Sequence, residues 1–154
     1  MKYFAYGSNM DVEQMKGRCP DAKVLDLAVL QGASFRINRY GVATVVPSTS
    51  IVHGVLWEIS SGDATNLSAY EGEAGEFYLK ESVWVEFPRF KKVEAMIYLA
   101  GNIQPGKPRP GYLELILRAA KAHGFPREYF SHLASCADHR ANGIKARLVT
   151  DREQ

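Results

Sequence analysis

Between Val24 and Ala100 the chain carries one strand-like segment after another with little helix between them, and this restricts its possible folds more than any other feature. Val24–Leu30 and Ser34–Asn38 read as strands interrupted at Gln31-Gly32. Gly41–Val46 and Val52–Ile59 form the clearest antiparallel candidate, with Pro47-Ser48-Thr49-Ser50 as the turn between them. Phe77–Phe87 alternates and is rich in aromatic and β-branched residues, and Val93–Ala100 follows as its partner. The strands come in a block, with helices inserted at three points rather than in regular βα alternation. That pattern predicts an α+β fold with a mixed, largely antiparallel sheet that can curl into a β-barrel, in one domain spanning 1–154.

Helices are expected on either side of this block and once within it. Lys2–Tyr6 is a short strand that stops at Gly7, after which Ser8 or Asn9 can cap a helix over Met10–Gly17. Asp63 caps a short helix running to about Tyr70, with Gly72 just past its end. Gln104–Pro110 is a stiff, proline-rich loop. Pro110 or Gly111 then opens the strongest helix, with Leu113, Ile116, Leu117 and Ala120 along one face and Gly124 as its stop. Phe125-Pro126 begins another helix carrying Tyr129, Phe130 and Leu133, and Lys145–Thr150 is a candidate final strand.

Bulk properties remove several function classes. The formal net charge is only +2, with Lys and Arg scattered among Asp and Glu, so the basic stripe that a nucleic acid requires is missing. The N-terminus turns polar before a signal-peptide apolar region could form, and no long apolar run follows, which argues against secretion and membrane spanning. Cys19 and Cys136 are far apart and fit neither a disulfide framework nor a metal cluster; a pair of reduced thiols suits the cytoplasm. His53, His123, His132 and His139 are dispersed without a metal-binding spacing, and there is no GxSxG elbow, P-loop or GxGxxG.

Two segments carry possible chemistry. The opening strand, Gly loop and helix start gather unpaired backbone N–H groups around Gly7–Asn9, where a carboxylate or anionic oxygen could bind. An ordinary strand-to-helix turn with a Ser or Asn cap has the same local pattern. The other segment is Tyr70-Glu71-Gly72. A carboxylate near the C-terminal end of a helix faces the negative pole of the dipole, so a partly buried Glu71 is expected to hold its proton more tightly and to suit acid/base work near neutrality. A solvated glutamate before a helix stop is the plainer alternative. Tyr78 and Tyr129 read by default as aromatics at the core edge.

Taken in order along the chain, these segments resemble the gamma-glutamylcyclotransferase superfamily. Tyr3-Phe4-Ala5-Tyr6-Gly7-Ser8-Asn9-Met10 is similar to its YGSN opening, and Gly41–Pro47 and His53–Trp57 resemble its next two strands. Leu67-Ser68-Ala69-Tyr70-Glu71-Gly72 resembles the segment ending in its catalytic Glu-Gly, with Ser68 where Asp is frequent. Tyr78 stands at the family's spacing from Glu71, and Tyr112 and Gly124–Tyr129 match its C-terminal helices. The resemblance runs from Tyr3 to about Leu133 and implies a compact barrel ringed by helices, with a cavity at its mouth. It further implies that Glu71 is the acid/base and that Tyr6, Gly7, Ser8, Asn9, Met10, Tyr78 and Tyr129 contact a small gamma-glutamyl substrate. The implied reaction yields 5-oxoproline and a freed amine, with no metal or other cofactor. A non-catalytic module that keeps the fold and cavity is the alternative. The leaving amine and the oligomeric state are left open.

Overall fold

The computed structural model describes residues 1–73, 78–88 and 91–138, with residues 71–73 described as backbone only. Its frame is one long antiparallel pairing between β2 (Lys23–Ile37) and β3 (Ala43–Glu58). The sequence suggested four shorter strands here. Each strand instead runs through the segment that looked like a break. Gly32 sits in a bulge between the pairs Gln31–Ile51 and Ala33–Pro47, which absorbs the irregularity without ending either strand. Ser48 Oγ accepts the Ser50 N–H at 3.0 Å and lies 2.7 Å from Ser34 Oγ on the neighbouring strand. These side-chain bonds keep Pro47–Ser50 within the sheet, and the bulge accommodates a proline that lacks a ladder donor. The hairpin expected between Gly41–Val46 and Val52–Ile59 is therefore a single strand whose partner is β2.

The chain reverses at Asn38–Val42 instead. Asn38 is buried, its Oδ1 accepts the N–H groups of Tyr40 and Val42, and its Nδ2 donates to the Asn102 carbonyl. Gly41 has φ +82°, and a Cβ there would lie 2.8 Å from Arg109 Cγ and 2.9 Å from the Lys107 carbonyl oxygen, so the turn and the 105–110 loop pack closely only around a glycine.

β1 (Lys2–Ala5) pairs antiparallel with β3. β4 (Tyr78–Phe87) and β5 (Lys91–Ala100) pair antiparallel along their whole length, and β4 joins β2 at Val29–Glu86. A parallel contact between Tyr3 and Met96 joins β1 to β5 and closes the barrel in the order β1-β3-β2-β4-β5. The fold is the α+β, mixed and largely antiparallel barrel with surrounding helices that the strand block predicts. Phe4, Val52, Val55, Leu56, Val85 and Ile97 are fully buried, and removing such side chains from water is the main stabilising term.

α1 (Val12–Arg18) is capped by Asp11, whose carboxylate accepts the Gln14 N–H at 2.8 Å. Neither Ser8 nor Asn9 is the cap, because Ser8–Met10 form their own turn of 3-10 helix. α2 (Ser61–Glu73) begins with a reciprocal pair: Asp63 N–H donates to Ser60 Oγ at 3.0 Å and Ser60 N–H to Asp63 Oδ2 at 3.2 Å. It extends through Gly72, past the expected end. α3 (Tyr112–Ala122) and α4 (Arg127–Ser135) follow the predicted pattern, with Leu113, Ile116 and Ala120 of α3 buried. No helix among the described residues is long and apolar enough to cross a membrane. Phe77, His139 and the candidate strand Lys145–Thr150 lie outside the described residues.

Candidate active site

The residues after β1 are held by a dense set of polar contacts. Tyr6 is buried and donates its hydroxyl to the Tyr98 carbonyl at 2.5 Å. Two residues beyond Gly7, the buried Asn9 uses its whole side chain. Its Oδ1 accepts from Gln14 Nε2 at 3.0 Å and Arg18 Nη1 at 2.9 Å, and its Nδ2 donates to the Tyr3 hydroxyl at 3.0 Å. Ser8 Oγ accepts a second bond from Gln14 Nε2 at 2.9 Å. The His123 ring nitrogen Nε2 reaches the Met10 carbonyl at 2.7 Å. Inside the turn, Met10 N–H and Asp11 N–H bond to the carbonyls of Gly7 and Ser8. The amides of Ser8 and Asn9 precede these bonds, as the first donors of any helical turn do, and find no acceptor among the described residues.

A cavity of about 220 Å³ opens beside this turn. Gly7, Ser8, Asn9, Gln14 and Arg18 form one wall, and Val42, Ala43, Arg109 and Tyr112 another. Six of the chain's eight tyrosines line it, so its surface is rich in phenolic hydroxyls. Several of these hydroxyls also tie elements together. The Tyr98 hydroxyl lies 2.8 Å from Ser68 Oγ on α2, Tyr112 accepts the Ala43 N–H at 3.0 Å, and the Tyr78 hydroxyl lies 3.5 Å from the Ala43 carbonyl.

The charged groups among the described lining residues are two arginines. Arg18 stands 4.7 Å over the Tyr70 ring while it bonds Asn9, and Arg109 Nε donates to the Tyr40 carbonyl at 2.9 Å. No carboxylate appears among the described lining residues. Cys19 follows Arg18, but burial and the nearby Asp63 push its thiol up to about 11 against a smaller opposing effect of Arg18, which makes it a poor nucleophile near neutrality. No group of three or more His, Cys, Asp or Glu side chains converges among the described residues.

Of the residues singled out in the sequence, Tyr6, Gly7, Ser8, Asn9 and Tyr78 line this cavity together. Met10 is fully buried and is not part of the lining. Tyr129 is also absent from it. Its ring lies 4.6 Å from that of His53 and 5.9 Å from that of Phe125, because α4 turns Tyr129 and Leu133 into the core. The Tyr129 hydroxyl has no well-formed hydrogen-bond partner among the described residues, and burial pushes the phenol well above the usual tyrosine range. The Glu71 backbone belongs to the last turn of α2, while its side chain lies outside the described residues; Tyr70, immediately before it, lines the cavity. Sequence reasoning missed Tyr3, Arg18, Tyr98, Arg109 and Tyr112 as lining residues. Arg18 carries one usable signal, a guanidinium at the end of the helix that follows the Gly loop. Arg109 carries none, since it reaches the cavity only through the packing of the 105–110 loop on the hairpin turn.

A small closed barrel with helices around it is the fold seen in solved gamma-glutamyl cyclotransferase. A structure of that name superposes with a TM-score of 0.79 at 30% sequence identity, covering 87% of this chain and 86% of its own. The profile of the AIG2-like family matches residues 51–133, and the chain belongs to that family. It is also 29% identical to human gamma-glutamylcyclotransferase, over 97% of this chain and 85% of the relative. The mouse protein of the same name is 28% identical, over 92% and 81%.

Proposed function

We propose that this protein is a gamma-glutamylcyclotransferase-type enzyme that converts a gamma-glutamyl amine or amino acid into 5-oxoproline and the freed amine, with Glu71 as acid/base. One observation carries the reading: Tyr70, the residue before Glu71, lines the same cavity as Gly7, Ser8 and Tyr78. The helix bearing the carboxylate and the loop suited to the glutamyl head group therefore border one space.

The chemistry follows from that arrangement. The substrate's α-amine attacks its own γ-carbonyl carbon; a C–N bond forms, closing a five-membered ring, and the amide bond to the leaving amine breaks. The reaction is intramolecular, so the site's main task is to hold one productive conformer. Glu71 takes a proton from the α-ammonium group and delivers one to the departing amine. The amides of Ser8 and Asn9 and the nearby Arg18 suit the α-carboxylate, and phenols around the cavity can donate to the oxygen that gains charge. The reading also places the enzyme in the cytoplasm, in line with two buried cysteines that are not joined in a disulfide.

Glu71→Gln tests the assignment. Glutamine keeps the shape and cannot accept the ammonium proton, so turnover should fall by roughly 10²–10⁴ while a non-cyclising glutamyl analogue still binds. The acid limb of the wild-type kcat profile should vanish with it. Release of 5-oxoproline and calorimetric titration read the two effects. Near-wild-type turnover removes Glu71 from the mechanism, and wild-type protein that binds gamma-glutamyl compounds without cyclising them is a binding module.

A further inference from the structure

Every carbonyl from Gly7 to Met10 accepts a hydrogen bond, and the donors differ in origin. Met10 N–H donates to the Gly7 carbonyl at 3.1 Å and Asp11 N–H to the Ser8 carbonyl at 3.0 Å, both within the turn. The other two donors are ring nitrogens from distant elements. The Trp57 indole N–H reaches the Asn9 carbonyl at 3.1 Å, and His123 Nε2 lies 2.7 Å from the Met10 carbonyl oxygen. A carbonyl oxygen can only accept, so His123 carries a proton on Nε2 in this bond. The residue follows the last turn of α3 and is half-buried. Its backbone N–H donates to the Ala119 carbonyl at 2.9 Å, and its ring stacks on Phe125 with centroids 6.1 Å apart.

A trans peptide group is planar, with its C=O and N–H pointing in opposite directions, so a bond that fixes one end fixes the direction of the other. Two relays result. One runs from Trp57 through Asn9 C=O, Met10 N–H and Gly7 C=O to Ser8 N–H. The other runs from His123 through Met10 C=O, Asp11 N–H and Ser8 C=O to Asn9 N–H. They end on the two amides that find no acceptor among the described residues, and both of those residues line the cavity. Bonds in such a chain polarise one another, so each ring aims the amide at the far end and strengthens it as a donor. Trp57 also belongs to the buried core, whereas His123 is only half-buried, and its bond can be removed with less disturbance of packing. We infer that His123 is a positioning residue: from behind the turn it holds the Asn9 amide in the direction that receives the carboxylate of the glutamyl head group. This rests on the cyclotransferase reading and adds to it a residue outside the cavity lining.

The test uses His123→Phe, which keeps a ring against Phe125 and removes the donor, and His123→Gln, whose side-chain amide can still donate to the Met10 carbonyl. With gamma-glutamyl-alanine, His123→Phe should raise KM about 5- to 20-fold and change kcat less than about threefold, and His123→Gln should recover most of that loss. Calorimetric binding of two compounds that cannot cyclise supplies a readout that general loosening would not give. Glutaryl-alanine keeps the head-group carboxylate, and butanoyl-alanine lacks it. Wild type should bind the glutaryl compound more tightly, and His123→Phe should weaken it about 5- to 20-fold while weakening the butanoyl compound less than about twofold. His123→Leu supplies the same comparison if the phenylalanine variant does not fold. An unchanged KM, or equal losses for both compounds, overturns the inference and leaves the cyclotransferase reading standing. Folded wild type that releases no 5-oxoproline overturns that reading instead, and a loss confined to glutaryl-alanine still upholds the role of His123.

Discussion

Trp57 donates its indole N–H to the Asn9 carbonyl at 3.1 Å, so β3 holds the turn that follows β1 from behind. Both residues are buried, and the bond spans 48 positions of chain. Trp57→Phe keeps much of the aromatic packing and leaves that carbonyl unpaired. The expected cost is about 1–3 kcal/mol in urea unfolding, together with a raised KM as the turn loosens. Unchanged stability and KM would show that the turn stands without this bond.

Gly7 has a different constraint. Its φ is negative, so backbone strain is not the issue. A Cβ at Gly7 would lie 3.3 Å from Ala43 Cβ and 3.4 Å from the Tyr112 hydroxyl, inside the cavity wall. Gly7→Ala should remain folded with a modestly raised KM, and the branched Gly7→Val should lose binding or turnover far more completely. Thermal melts confirm folding, and equal kinetics for glycine and valine would reduce the loop to a structural turn.

His53 links pH to stability. It packs against the rings of Phe125 and Tyr129, and burial lowers its pKa from the ordinary 6.5. The unfolded chain therefore binds this proton more readily than the folded one. Stability from His53 is complete above about 6.5 and is lost as pH falls from there toward the lower folded value. In urea titrations at stepped pH, His53→Gln should show a shallower decline than wild type over that window. Parallel curves would assign the acid sensitivity to other groups.

Tyr78 and Tyr129 should separate cleanly. Tyr78 lines the cavity, and Tyr78→Phe should reduce turnover modestly with little change in melting temperature. Tyr129 lies outside the lining with its hydroxyl buried and poorly partnered, so Tyr129→Phe should leave turnover near wild type and hold or raise stability. A large activity loss in Tyr129→Phe would mean that α4 reaches the substrate after all.

Much of the architecture was legible in local signals. The stripe of Leu113, Ile116 and Ala120 and the Gly111 and Gly124 boundaries defined α3 because helix period and end chemistry are encoded within a few residues. β4 and β5 were legible for the same reason. The β2 and β3 errors share a cause: Gly32 and Pro47–Ser50 carry turn composition, and whether such a segment turns or bulges depends on the strand beside it. The Ser34–Ser48 contact that keeps the segment in the sheet joins two strands and has no local trace.

The site divides along the same line. By its own residues the sequence determined the Gly7-Ser8-Asn9 turn, the carboxylate at the end of α2 and the family to which they belong, because these are contiguous patterns with their own chemistry. The tertiary structure alone decided that Tyr6 and five tyrosines from β1, α2, β4, β5 and α3 face one cavity, that Tyr129 does not, and that Arg18 and Arg109 share it. Those outcomes depend on barrel closure through the Tyr3–Met96 contact and on the seating of the 105–110 loop against Gly41. Both are packing events between segments distant in the chain, and no local periodicity or spacing records them.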